Sequence, residues 1–199
     1  MNDDQLCDEF VLELQEKIPE ISDFNDIGRL RTCHKEVVPI LLKYLDKFEG
    51  SNYKEGIVRA LGVKGFTEAT ETLIKEFSSS NDRYYKWAIG DSLFMIQDKR
   101  FEDEYIEIVK NKKHGSARQM VVIGIGRIKS EKAIPILIDL LDDEEVNGHV
   151  IIALGYYKDP KLIKYIEPFI DHKEAWKRNE AKKALKKMGY FKQQEDESN

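Results

Sequence analysis

Trp87 and Asp91 carry the clearest chemical opportunity in this sequence. Four residues apart, they share one face if the segment is helical. An indole offers a flat surface for stacking, and a carboxylate one turn along can accept a hydrogen bond or balance a cation. Such a pair suits a guanidinium, an ammonium or a cationic base. The position equally permits Trp87 to pack across the seam to the next segment, its indole N–H bonded by a neighbour. Other chemistry is sparse. There is no Gly-rich phosphate loop, no Cys-x-x-Cys, no His-Glu-x-x-His and no Gly-x-Ser-x-Gly. His34, His114, His149 and His172 are far apart, and Cys33-His34 lacks two further ligands. The run Asp142-Asp143-Glu144-Glu145 reads as a solvated turn rather than a metal cage. No catalytic residue, metal or cofactor is assigned.

The elements that must position these residues come from a repeated block: an apolar helix, a short polar loop, then a second helix ending in Ala-Leu-Gly or a variant. The trio appears as Ala60-Leu61-Gly62, Ser92-Leu93-Phe94, Gly124-Ile125-Gly126, Ala153-Leu154-Gly155 and Ala184-Leu185-Lys186. A recurrence every 29–32 residues is the signature of a stacked array. In the fourth block Ile134, Leu137, Ile138 and Leu141 form one apolar stripe, and Val146, Val150, Ala153, Leu154 and Tyr157 form another. One hairpin cannot bury both, so neighbours must stack. The spacing predicts helix pairs at about 36–64, 67–97, 101–128, 131–157 and 160–188, after a leading helix at about 3–18. Pro19 falls in a polar connection to residue 35. Ser130 is placed to cap the helix beginning near Glu131, and Asp159-Pro160 supplies a cap and a first-turn proline. The organisation expected is an N-terminal helical cap (1–33), a repeat array (34–188) and a polar tail (189–199).

Registering the second helices gives three columns. A basic column reads Lys54, Lys86, Arg118, Asn147 and Arg178. The next residues are Glu55, Trp87, Gln119, Gly148 and Asn179, and one turn further stand Arg59, Asp91, Ile123, Ile152 and Lys183. The last two columns share a helical face and are expected to line the concave side of the array. The basic column is expected to form a ladder with acids such as Asp82, Asp143 and Asp171, in preference to a row of phosphate contacts. Gly90 and Gly148 are expected on exposed columns, leaving room for a partner's backbone. With Val122, Ile123, Ile151 and Ile152 they imply a shallow apolar patch.

The 199 residues are 41% hydrophobic and 35% charged, enough to bury a continuous core while each repeat keeps a wet face. The net charge of −5 disfavours a general nucleic-acid binder. Charge is also unevenly spread: residues 1–50 hold twelve acids and six bases, whereas 173–192 hold eight bases and two acids. The start, MNDDQLCDEF, lacks the basic-then-apolar order of a secretion signal, and no apolar stretch approaches the roughly 20 residues of a membrane span. Cys7 and Cys33 are expected as free thiols in a reducing cytoplasm.

The trio, the basic column and the first-helix prolines Pro39 and Pro135 (Thr72 in the second block) resemble HEAT-like repeats of the short bacterial kind, also seen in phycobilisome lyase subunits. Asn147 departs from the basic column. The resemblance spans roughly 34–188 and implies an all-α, right-handed α-solenoid of about five HEAT-like helix pairs with an extra N-terminal helix. It also implies an interaction scaffold: a non-enzymatic cytoplasmic adaptor gripping a protein partner through Trp87, Asp91, Glu55, Arg59 and Gln119, with Ile123 and Ile152 on the same face. Two alternatives follow from enzymes built on such arrays. One is nucleic-acid binding, with glycosylase-like base excision at Trp87 and Asp91, because alkylpurine DNA glycosylases use a Trp and an Asp one turn apart. The interleaved Arg83-Tyr84-Tyr85-Lys86-Trp87 adds a reason to consider single-stranded nucleic acid. The other is a tetrapyrrole-lyase-like role, which rests on repeat type alone.

Overall fold

Apolar residues at helical spacing become buried stripes, and the computed structural model, which describes residues 3–191, has eleven α-helices and no strand among them. They are α1 (Asp3–Gln15), α2 (Val38–Leu45), α3 (Ser51–Leu61), α4 (Thr70–Ser79), α5 (Arg83–Ile96), α6 (Glu102–Lys110), α7 (Gln119–Arg127), α8 (Ile134–Asp139), α9 (Asn147–Tyr157), α10 (Ile163–Ile166) and α11 (Ala175–Lys187). Short 3₁₀ turns at Thr67–Ala69, Lys99–Phe101, Glu131–Ala133 and Pro160–Leu162 lead into first helices. Of the tail expected at 189–199, residues 192–199 lie outside the described residues. The chain divides into two compact units, residues 1–101 and 102–199.

The first unit holds α1 and the pairs α2–α3 and α4–α5. In α2, Val38, Leu41, Tyr44 and Leu45 are buried, and Pro39 sits in its first turn, where a missing N–H costs nothing. An aromatic cluster joins α1 to the first pair. Phe10 contacts Tyr44 with ring centroids 5.0 Å apart, and Tyr53 stacks on Phe48 at 4.8 Å and meets Phe24 edge-on at 5.0 Å. The Asp3 carboxylate accepts from the Gly50 N–H at 2.7 Å at the start of α3. The connection expected to be merely polar is instead built of two 3₁₀ turns, Phe24–Arg29 and Thr32–Val37. Asp26 organises the first of them. Its buried carboxylate accepts from the Ser22 N–H and hydroxyl, both at 2.8 Å, and from the Asp23 N–H at 3.2 Å, which holds its pKa down.

The second unit holds the pairs α6–α7, α8–α9 and α10–α11, with 3₁₀ turns extending α8 and α10. Asp159 caps its segment as expected, accepting from the Lys161 N–H at 2.9 Å. Ser130 does not cap. Its hydroxyl is buried without a partner among the described residues, and it is the Ser130 carbonyl that works, accepting from the Tyr157 hydroxyl at 2.6 Å.

Within each unit the second helices meet through the repeated trio. A Cβ on Gly62 would stand 3.0 Å from the Ser92 Cα, one on Gly126 2.5 Å from the Ala153 Cα, and one on Gly155 3.0 Å from the Ala184 Cβ. At these three seams the last residue of one trio faces the first residue of the next, and both are small. Ser92 fits because its hydroxyl is satisfied across the seam, donating to the Val58 carbonyl at 2.8 Å. Gly126→Ala should therefore lower stability by about 1–3 kcal/mol through overpacking, although alanine is the better helix former. Gly28→Ala, with nothing within 4 Å of its added methyl, should change it little. Urea denaturation of the two variants and wild type checks this.

Candidate functional site

On the first unit the close seam between α3 and α5 brings four of the expected residues into one strip. Glu55 and Arg59 are a turn apart on α3, and the Glu55 Oε1 accepts from the Arg59 Nε at 2.9 Å and Nη2 at 2.8 Å. The fork fixes the guanidinium, which lies 6.0 Å from the centroid of the Trp87 ring on α5. Trp87 is half-buried, so one part of the indole is engaged and the rest faces out. Asp91 follows one turn along, and Met95, 38% exposed, continues the row. Burial pushes the Asp91 carboxyl up from its ordinary value, and Arg59 opposes this from a distance. No hydrogen bond or salt bridge from the described residues reaches that carboxylate. It is a half-buried acid beside an aromatic face with its acceptor capacity open.

The second unit treats its column residues differently. The Gln119 side-chain amide is spent on the unit's own loop, donating to the Glu145 carbonyl at 2.9 Å. Ile123 is only 8% exposed and Ile152 is half-buried, so the shallow apolar patch expected there is largely inside. Gly90 and Gly148, expected on exposed columns, are both buried. The space over Gly148 is filled by the Trp176 indole, whose ring a Cβ at 148 would overlap. Trp176 is still 42% exposed, and its Nε1 donates to the Glu174 Oε2 at 2.9 Å. The other Glu174 oxygen holds the buried Lys177 ammonium at 2.7 Å. His149 packs edge-on to the Trp176 ring, and burial together with Lys177 pushes its pKa down to about 4. The glycine in a column otherwise carrying side chains was the sequence signal for a neighbour's large ring.

The basic column is largely structural, and Arg118 forms an expected ion pair with Asp143. Arg118 is fully buried and its Nη2 donates to the Asp143 Oδ2 at 2.9 Å. Burial works to raise the Asp143 carboxyl, and the hydrogen bond and charge of Arg118 overrule it, leaving it lowered. Arg118 also donates to the Gly115 and Val109 carbonyls at 2.9 and 3.0 Å. Arg178 likewise donates to the His172 and Lys173 carbonyls, at 2.8 and 2.9 Å, in place of the Asp171 carboxylate. Asp82 caps α5 by accepting from the Tyr84 and Tyr85 N–H groups at 2.8 and 3.2 Å. Lys86 is buried over the Phe77 ring at 5.3 Å, and burial pushes its ammonium pKa down. Arg118 and Arg178 thus pin the segment that leads into their own helix. Asn147, too short for that reach, is buried with its Oδ1 unpartnered among the described residues.

Stacked helix pairs closed by small residues define an all-α repeat protein. Consistent with this, residues 70–147 match the family model for HEAT repeats, so the chain carries a HEAT-like repeat segment. No curated protein matches the sequence. Among the described residues no helix is long and apolar enough to cross a membrane.

The burial of Asp91 bears on stability. A carboxyl whose folded pKa lies above its unfolded value is penalised once ionised, so its contribution to stability falls as the pH rises above the ordinary value of 3.8. Asp91→Asn should therefore melt higher than wild type at pH 7, with the gap closing as the pH approaches 3.8. Melting curves across that range check it. The sign is opposite for His149. Its neutral form is favoured on folding, so stability should fall as the pH drops from 6.5 towards about 4, and His149→Gln should lose that component.

Proposed function

We propose that this chain is a non-enzymatic cytoplasmic adaptor that binds a protein partner on the α3/α5 face of its first unit. Trp87 is the aromatic anchor, and Asp91 receives a lysine or arginine side chain of the partner. The observation that carries this reading is the half-buried Asp91 carboxylate, one turn from a half-buried indole and without a donor among the described residues. A partner cation seated there would gain the indole face and the carboxylate together, where desolvation strengthens both. Arg59 and Glu55 hold the rim. HEAT repeats commonly act as interaction scaffolds, which supports the class of function. Interfaces of this kind draw most of their affinity from a few anchors.

The test is capture from nuclease-treated host lysate, followed by affinity measurement on the purified partner. Trp87→Ala and Asp91→Asn should each weaken binding at least tenfold, roughly 1.4 kcal/mol or more, with helical content unchanged. A partner bound equally by all three proteins would sink the assignment. Capture that disappears on nuclease treatment would favour the nucleic-acid reading instead.

A further inference from the structure

A second recognition element adjoins this strip and was not visible in the repeat columns. Between the 3₁₀ turns of residues 24–37 and the C-terminal end of α3 lies a cavity of about 540 Å³. Arg31, Arg59 and Lys64 line it, and no acidic side chain does. That is notable in a chain of net charge −5. Its floor is apolar, including Ile27, Val63 and the exposed Met95. The two walls are stitched together, since the Thr32 hydroxyl donates to the Lys64 carbonyl at 3.2 Å. Arg59 is already forked onto Glu55, but Arg31 and Lys64 make no ion pair within the described residues. The Arg31 guanidinium donates to the Leu30 carbonyl at 2.7 Å, which fixes its direction without neutralising it.

Two uncompensated cations beside an apolar floor fit a ligand whose negative charge and apolar group are close neighbours. A protein C-terminus meets this requirement, because its last residue carries a carboxylate and a side chain on the same carbon. An Asp or Glu side chain within a chain brings charge without the apolar partner. We propose that this cavity receives the C-terminal carboxylate of the partner, held by Arg31 and Lys64, with an apolar last side chain on the floor. Guanidinium and ammonium donors recognise carboxylates directly, and the volume lies within the range of ligand sites. Arg59 belongs both to this cavity and to the Trp87 strip, so the inference deepens the docking reading and rests on it. The partner segment would then end in an apolar residue and carry a basic residue further back, for Asp91.

The chain has two tryptophans, so Trp176→Phe leaves Trp87 as the single indole, close enough to Arg59 to report on the cavity. Emission and titration calorimetry are followed with three probes: acetyl-Gly-Ser-Gly-Leu-Leu with a free carboxylate, the same peptide as its amide, and octanoate. The free acid should bind at least tenfold tighter than the amide. Arg31→Gln with Lys64→Gln should remove that preference. Gly28→Glu should weaken the acid at least tenfold while Gly28→Gln should not, because position 28 borders the cavity and a Cβ there meets nothing within 4 Å. Equal binding of acid and amide, or octanoate binding as tightly as the peptide, would overturn the assignment to a chain terminus. Asp91→Asn should leave the acid probe unaffected, since Asp91 does not line the cavity. No preference for the acid over the amide in the chain that keeps Arg31 and Lys64, with Trp87-dependent capture intact, therefore overturns this inference alone.

Discussion

The distance between consecutive second helices is the constraint on which the rest of the structure depends. It is set where Gly62 faces Ser92, Gly126 faces Ala153 and Gly155 faces Ala184. Glycine inside a helix costs about 0.5–1 kcal/mol, so its recurrence at this register needs a return. The return is close packing of adjacent helices, which places equivalent columns side by side. Arg59 stands over Trp87 because α3 and α5 approach at Gly62 and Ser92. With a larger residue at either position, the two halves of the strip would separate.

Charge is sorted by the same geometry. The two arginines of the inner column, Arg118 and Arg178, are bonded to carbonyls and, for Arg118, to Asp143, so a buried arginine such as Arg118 has its donors engaged. On the outer face Glu55 and Arg59 answer each other, while Asp91, Arg31 and Lys64 are left with no ion pair among the described residues. Folding would be served at least as well by a neutral residue at 91. A half-buried acid retained beside an indole is the kind of local conflict that functional surfaces hold at the expense of stability.

Much of the fold was legible in the sequence because its signals are periodic. The trio and the apolar stripes located all five helix pairs, and the i, i+4 register placed Glu55 with Arg59 and Trp87 with Asp91. Features that depend on one particular neighbour were not legible. Gly148 looked like an opening because nothing in the column showed that Trp176, from the next pair, would fill it. Ile123 was assigned to the open face, yet it is buried, since a helix packed between two others buries more than one stripe. The basic column looked like an ionic ladder, but a long cation beside a 3₁₀ loop finds carbonyls at shorter range than distant carboxylates. The cavity of Arg31 and Lys64 belongs to no repeat column. It arises where an irregular connection, organised by the buried Asp26, meets the end of α3.

Oxidative footprinting of the chain with and without its captured partner tests the central claim most directly, because Trp87 and Met95 are both oxidisable side chains on the α3/α5 face. Binding should protect Trp87 and Met95 several-fold while Leu12, exposed on α1, is oxidised as in the free protein. Unchanged oxidation of Trp87 and Met95 in a saturated complex would contradict docking on this face.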